Sequence, residues 1–223
     1  MTRFGRLVTS CLLIGGLASP TAAQTAPAPA SVLAPKIEVA PYVGGARHSL
    51  AGTFLGITPD RNHLFLGVHV TVNVVRTPRW TIGYAPEIVP LLLISNNPKY
   101  RTFSLSDGQT VKAETGRGPV AGAGMSPIGL ESQLRVGLRW RLFVAGAAGF
   151  VLFTREVPVV DARRFNFTFE VGGGAIWSYS PRWSLRVGYK FHHLSNAYTA
   201  PANPGIDGAV FFLGFARAMG SHR

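Results

Sequence analysis

The sequence lacks most of the covalent equipment of a small exported enzyme. Its single cysteine is Cys11, which lies inside the apolar core of an N-terminal stretch that reads as a secretory signal. Arg3 and Arg6 form the basic start of that signal, Leu7 to Leu17 its apolar run, and Thr21, Ala22 and Ala23 its small-residue cleavage site. A lipid-accepting cysteine would close the apolar run instead of lying within it, so lipidation at Cys11 is not expected. Cleavage after Ala23 leaves a mature chain without thiols, which excludes a disulfide scaffold and cysteine catalysis. Long hydrophobic runs are also missing. Beyond the signal no stretch reaches the ~18 uncharged apolar residues of a membrane-spanning helix. Acidic residues are scarce, with 10 Asp+Glu against 22 Lys+Arg; the net charge of +12 falls by two if Arg3 and Arg6 leave with the signal. No group of His, Cys and carboxylates has the spacing of a metal site, and neither a metal nor a cofactor is expected.

What remains is apolar and patterned. Hydrophobic residues make up 47% and charged residues 14%, an apolar balance for an exported soluble domain. An apolar exported chain without spanning helices points to a β-barrel, which satisfies its backbone between strands. The basic excess then suits an anionic membrane surface, and no nucleic-acid partner is expected of an exported chain. Residues 24–36 (QTAPAPASVLAPK) read as an Ala/Pro-rich periplasmic leader. Residues 37–217 then read as one all-β domain, an eight-stranded antiparallel outer-membrane barrel, with a short tail over 218–223.

Eight alternating, glycine-punctuated segments carry that reading: 37–45, 63–76, 79–93, 120–134, 139–153, 164–179, 182–194 and 208–217. Each is long enough to cross a bilayer as a tilted strand of about ten residues. The links after the second, fourth and sixth are short. Those after the first, third, fifth and seventh are longer, at 46–62, 94–119, 154–163 and 195–207. Short periplasmic turns alternating with long outer loops are the pattern of an outer-membrane barrel. A soluble lipocalin-like barrel could also have eight strands, but the rows within segments favour lipid. In the sixth segment Phe165, Phe167, Phe169, Val171, Ala175, Trp177 and Tyr179 share one parity, and Asn166, Thr168, Glu170 and Ser178 the other. The second segment sets Leu64, Leu66, Val68, Val70, Val72 and Val74 against Gly67, His69, Thr71 and Asn73. The apolar row faces lipid and the polar row faces the lumen.

The chemistry concentrates in residues 188–207, GYKFHHLSNAYTAPANPGID. His193 and Ser195 are two residues apart on a strand, hence on the same face. Asp207 follows after an Asn/Pro/Gly-rich turn. Nucleophile, base and acid are the minimum for serine-based acyl transfer, in which His takes the Ser proton and the acid fixes the His tautomer. By parity His193 and Ser195 continue the apolar row of Trp183, Leu185, Val187, Tyr189 and Phe191, so they face outward. Asp207 shares parity with Ala209, Phe211, Leu213 and Phe215. His192 and His69 read as lumen residues. The glycines at 172–174 suit close strand contacts and not a phosphate loop.

The same stretch resembles the active-site segment of the outer-membrane lipid A 3-O-deacylases (PagL type), also called acyloxyacyl hydrolases. The family's His-x-Ser-Asn falls on His193, Ser195 and Asn196, its downstream Asn on Asn203, and its triad acid on Asp207. The type enzyme carries Glu at that last position, so Asp is a departure, one methylene shorter. ITPDRNHLFLGVHV, SPIGLE and RFNFTFEVGGG extend the likeness over most of the chain. The resemblance implies a cofactor-free serine esterase that removes an ester-linked 3-hydroxyacyl chain from lipid A, with lipopolysaccharide and outer-membrane lipids as partners. A homodimer is compatible with it. Candidate donors for the oxyanion hole are a backbone N–H just after Ser195 and, through the resemblance, the Asn203 side chain. Two alternatives stay open at this level: a non-enzymatic adhesin or scaffold barrel, and an outer-membrane phospholipase. A porin is not expected, because eight strands leave a lumen filled by side chains.

Overall fold

The computed structural model describes residues 33–219 except Ala51 and Phe54. The signal peptide, most of the Ala/Pro-rich leader and residues 220–223 lie outside the described residues. Nine antiparallel strands follow one another: β1 (Ile37–Ala46), β2 (His63–Arg76), β3 (Trp80–Tyr84), β4 (Glu87–Ser104), β5 (Thr110–Arg135), β6 (Trp140–Val157), β7 (Arg163–Ser178), β8 (Trp183–Ser195) and β9 (Ile206–Met219). Apart from β3 and β4, consecutive strands pair, and β1 pairs with both β2 and β9, which closes the ring. β3 and β4 both pair with β2 and β5, so they share one position and the nine strands fill eight places. The interruption falls at Ala85 and Pro86. Proline has no N–H for the ladder, while the flanking groups are satisfied by Ala85 N–H to Gly129 O (2.9 Å) and Val70 N–H to Pro86 O (3.0 Å).

The expected rows are present. Phe165, Phe167, Phe169 and Val171 are exposed on β7, whereas Asn166, Thr168 and Glu170 between them are buried. On β2, Leu64, Leu66 and Val74 are exposed, and Phe65, Thr71 and Asn73 are buried. All four tryptophans (Trp80, Trp140, Trp177 and Trp183) sit at the strand ends that adjoin the short turns. Trp140 and Trp177 stack there at 6.2 Å, and Arg217 lies over Trp183. Aromatic rings at one level of an apolar belt mark a membrane interface.

One long link takes another form. The expected outer loop over 94–119 is for the most part continuous sheet: β4 and β5 stay paired from Asn97↔Gly118 to Ser104↔Thr110 and project beyond the rest of the barrel. Arg155 from β6 braces this hairpin by donating to Pro98 O, Gly118 O and Pro119 O at 2.8–2.9 Å.

The lumen is filled in two zones. Towards the long loops it is apolar, built from Phe65, Leu92, Ile94, Val120, Val151, Phe153, Leu194 and Ile206. Towards the turns it holds a column of charges. Arg141 grips Glu38 with two bonds of 2.8 Å, Arg186 pairs with Glu131, and His69 lies between Glu131 (3.2 Å) and Glu87 (3.5 Å). Lys190 joins Glu87 and Glu170 at 2.8 Å each. Tyr42 completes that cluster by donating to Glu87 (2.6 Å). Its ring occupies the space that a side chain at residue 67 would need, so Gly67 has to be glycine. A buried charge is tolerable only when paired and hydrogen-bonded, and these ions pair with one another across the barrel.

Candidate active site

The site is built where β8 ends and β9 begins. His193 and Ser195 lie on the outward row of β8, both half-buried, with His192 and Leu194 fully buried on the opposite row. The cross-strand register places His193 beside Phe169 of β7 on one side and beside Asp207 of β9 on the other. Ser195 is opposite Phe167. Directly opposed residues on adjacent strands have their Cβ atoms about 5 Å apart, so the short Asp side chain spans the gap. The turn does not have to carry the shorter acid towards His193: Asp207 is already in the ladder, and sheet register positions it.

The three side chains form one hydrogen-bonded chain. Ser195 Oγ lies 3.1 Å from His193 Nε2, and His193 Nδ1 lies 2.6 Å from Asp207 Oδ1. A carboxylate accepts only, so Nδ1 carries the proton and Nε2 is left as the acceptor for the serine hydroxyl. Asp207 is completely buried despite its place on the outward row.

Immediately after Ser195 the chain folds into a tight turn. Ala197 (φ 51°) and Tyr198 (φ 59°) are both left-handed, a conformation that non-glycine residues rarely adopt. Thr199 holds the turn shut by donating to Asn196 O from its N–H (3.1 Å) and its Oγ1 (2.7 Å). Arg163 of β7 in turn donates to Thr199 O from Nε at 2.9 Å. The residues expected to make the oxyanion hole are brought together, but against each other: Asn196 N–H donates to Asn203 Oδ1 (2.9 Å), and Asn196 Nδ2 donates to Ala202 O (2.7 Å). The backbone N–H after Ser195 is therefore occupied, and among the described residues Asn203 Nδ2 is the side-chain donor of this pair without a hydrogen-bond partner.

Sequence reasoning missed the loop between β1 and β2, residues 47–62. It folds over the β8–β9 link, with Ile57 N–H bonded to Pro204 O and Thr58 N–H to Gly205 O, and Leu50 N–H reaches Asp207 O. Thr53 Oγ1 bonds Asp207 Oδ2. This loop is what buries the acid, and no periodicity or motif in it announces the role. Among the described residues no group of three or more His, Cys, Asp or Glu side chains is arranged to hold a metal ion.

A closed antiparallel ring with an apolar belt, a line of tryptophans and a side-chain-filled lumen defines an outer-membrane β-barrel. Two solved structures have the same fold. The outer membrane enzyme PagL matches with a TM-score of 0.54 at 14% identity, covering 79% of this chain and 97% of that one. Neisserial surface protein A matches with a TM-score of 0.52 at 8% identity, covering 84% and 99%. No curated protein matches the sequence significantly. The family model for lipid A 3-O-deacylase (PagL) matches residues 67–216, a span that includes His193, Ser195, Asn196, Asn203 and Asp207. The chain belongs to that family.

Proposed function

We propose that this barrel is an outer-membrane serine esterase that hydrolyses an ester-linked 3-hydroxyacyl chain from lipid A, with Ser195, His193 and Asp207 as its triad. Ser195 Oγ attacks the acyl carbonyl while His193 Nε2 takes the serine proton. The tetrahedral intermediate collapses, the sugar oxygen leaves with the proton from His193, and an acyl-serine remains. Water, deprotonated by His193, then attacks the acyl-serine and releases the 3-hydroxy acid. Asp207 holds the Nδ1 proton and faces the imidazolium that forms in both steps. Asn203 Nδ2 donates to the oxyanion, and Asn196 orients it by binding Asn203 Oδ1.

The observation that carries this reading is the Ser195–His193–Asp207 hydrogen-bond chain on an outward row (3.1 and 2.6 Å). Beside it stand Phe167 and Phe169, both exposed. A water-soluble ester would find little to bind among these phenyl rings. An ester within a membrane lipid arrives there by lateral diffusion with its acyl chain already in the apolar layer. Ionisable groups facing lipid are costly unless paired and used, and here each is paired.

Mass spectrometry of lipid A from cells producing the wild type or Ser195→Ala tests the reading. The wild type should strip one 3-hydroxyacyl chain from lipid A, and the variant, folded to the same extent, none. Unchanged lipid A accompanied by fatty acids released from phospholipids would replace the substrate assignment with a phospholipase.

A further inference from the structure

The buried acid of the site is held at both oxygens, and the second holder comes from a segment outside the family match over residues 67–216. Oδ1 of Asp207 faces His193, and Oδ2 faces Thr53 Oγ1. The Thr53 hydroxyl has one proton and two acceptors in reach, Asp207 Oδ2 and Gly56 O, the latter at 3.0 Å. A carboxylate is the stronger acceptor, so the proton is given to Asp207. The Thr53 oxygen accepts from Gly56 N–H at 3.0 Å, which draws Gly56 back to Thr53 in a tight turn above the acid. That turn sits unusually close: a Cβ added to Gly56 would lie 2.8 Å from Asp207 Cγ. The backbone of residue 56 therefore covers the carboxylate directly and shields it from solvent.

We propose that Thr53 is a positioning residue for the hydrolysis, fixing the rotation of the Asp207 carboxylate so that Oδ1 stays aligned with His193 Nδ1. The proposal rests on the reading of Ser195, His193 and Asp207 as a triad. Asp207 is buried with two acceptor oxygens and two side-chain donors, one for each. Without the Thr53 hydroxyl, Oδ2 would be left unsatisfied in a closed space, and the carboxylate would turn to share its single remaining donor. The cost would fall on the alignment of His193, since Thr53 reaches the reaction only through Asp207. The β1–β2 loop thus does from outside the ladder what a longer acid side chain could not do in this space: it fixes the carboxylate from behind.

The test uses the full-length barrel in detergent, with two readouts. One is kcat and KM for acid release from lipid A. The other is the rate at which an alkyl fluorophosphonate modifies Ser195, which reads serine activation whatever the natural ester is. Thr53→Val removes the hydroxyl at constant shape and should lower kcat and the labelling rate ~10- to 100-fold, the range for losing a hydrogen bond to a charged group, with KM unchanged. Thr53→Ser should restore both. In an Asp207→Ala background Thr53→Val should cause no additional loss, because there is no carboxylate left to hold. Full activity in Thr53→Val overturns the proposal, as does failure of Thr53→Ser to rescue a folded barrel or an additive loss in the double variant. If Thr53→Val does not fold, Thr53→Ala and Thr53→Ser carry the same comparison. A wild type labelled at Ser195 but inactive on lipid A would overturn the substrate reading and leave this one standing. A wild type that is not labelled overturns both.

Discussion

Replacing Asp207 with Asn changes one atom's chemistry at constant shape, and the site determines what that does. Two donors face the native carboxylate, His193 Nδ1–H at 2.6 Å and the Thr53 hydroxyl. An amide has one acceptor oxygen, so only one face can be served as before. With the oxygen towards His193, Thr53 turns its proton to Gly56 O and accepts from the amide; the tautomer survives, but the imidazolium formed during catalysis has lost its counter-charge. At ~4 Å and an effective dielectric of ~20, that loss is about 4 kcal/mol, or about three orders of magnitude in rate. With the NH2 towards His193, Nδ1 is forced to accept, Nε2 carries the proton, and the serine has no base. Inverting the tautomer costs about four orders of magnitude. Either way Asp207→Asn should lower kcat by about 10³- to 10⁴-fold and leave KM unchanged, because Asp207 is not placed to touch substrate. The assay is release of 3-hydroxy acid from lipid A in mixed micelles, on protein whose heat-modifiable migration shows an intact barrel. Full activity in Asp207→Asn would falsify the assignment of Asp207 as the triad acid.

Three further outcomes are expected. A membrane-impermeant maleimide should label Gln109→Cys at the β4–β5 tip from outside intact cells and should not label Ser180→Cys in the β7–β8 turn; the reverse would put the serine on the periplasmic side, away from outer-leaflet lipid A. Lys190→Met leaves Glu87 and Glu170 buried without the cation that both now contact at 2.8 Å, and should destabilise the barrel by about 3–5 kcal/mol in urea titrations. An unchanged midpoint would mean that the lumen column contributes nothing to stability. Gly56→Ala pushes a methyl into the Asp207 carboxylate and should cost about 100-fold in kcat, the effect of a ~1 Å misplacement, with the unfolding midpoint little changed; wild-type kcat would show that the loop does not confine the acid.

The barrel was legible because lipid and lumen impose opposite demands on alternate residues. β2 and β7 show this plainly, and their observed bounds, His63–Arg76 and Arg163–Ser178, lie close to the segments read from alternation. Where both faces meet water the contrast disappears. The projecting part of the β4–β5 hairpin therefore reads as a loop in the sequence, although the ladder continues to Ser104↔Thr110. Pro86 divides the third segment, and a single proline inside an alternating run does not say whether the neighbouring strands will accept both halves. The proximity of His193, Ser195 and Asp207 was legible because two lie on one strand and the third on the next, joined by a single Asn/Pro/Gly-rich link. Thr53 was not: it is 154 positions from Asp207 and meets it only because the β1–β2 loop folds across two strands. Nor could sequence show that Asn196 and Asn203 bond each other, since that depends on the left-handed pair Ala197 and Tyr198.

The seam that closes the ring has a consequence for when the chemistry can begin. The proposed nucleophile and base are on β8 and the acid is on β9, while the loop that clasps the acid hangs between β1 and β2. β1 and β9 are the two strands whose pairing seals the cylinder. No partly assembled form that lacks this seam holds the acid and its clasp in the same place. The proposed triad is thus complete only in the closed barrel, and a chain whose first and last strands are still apart is a latent hydrolase.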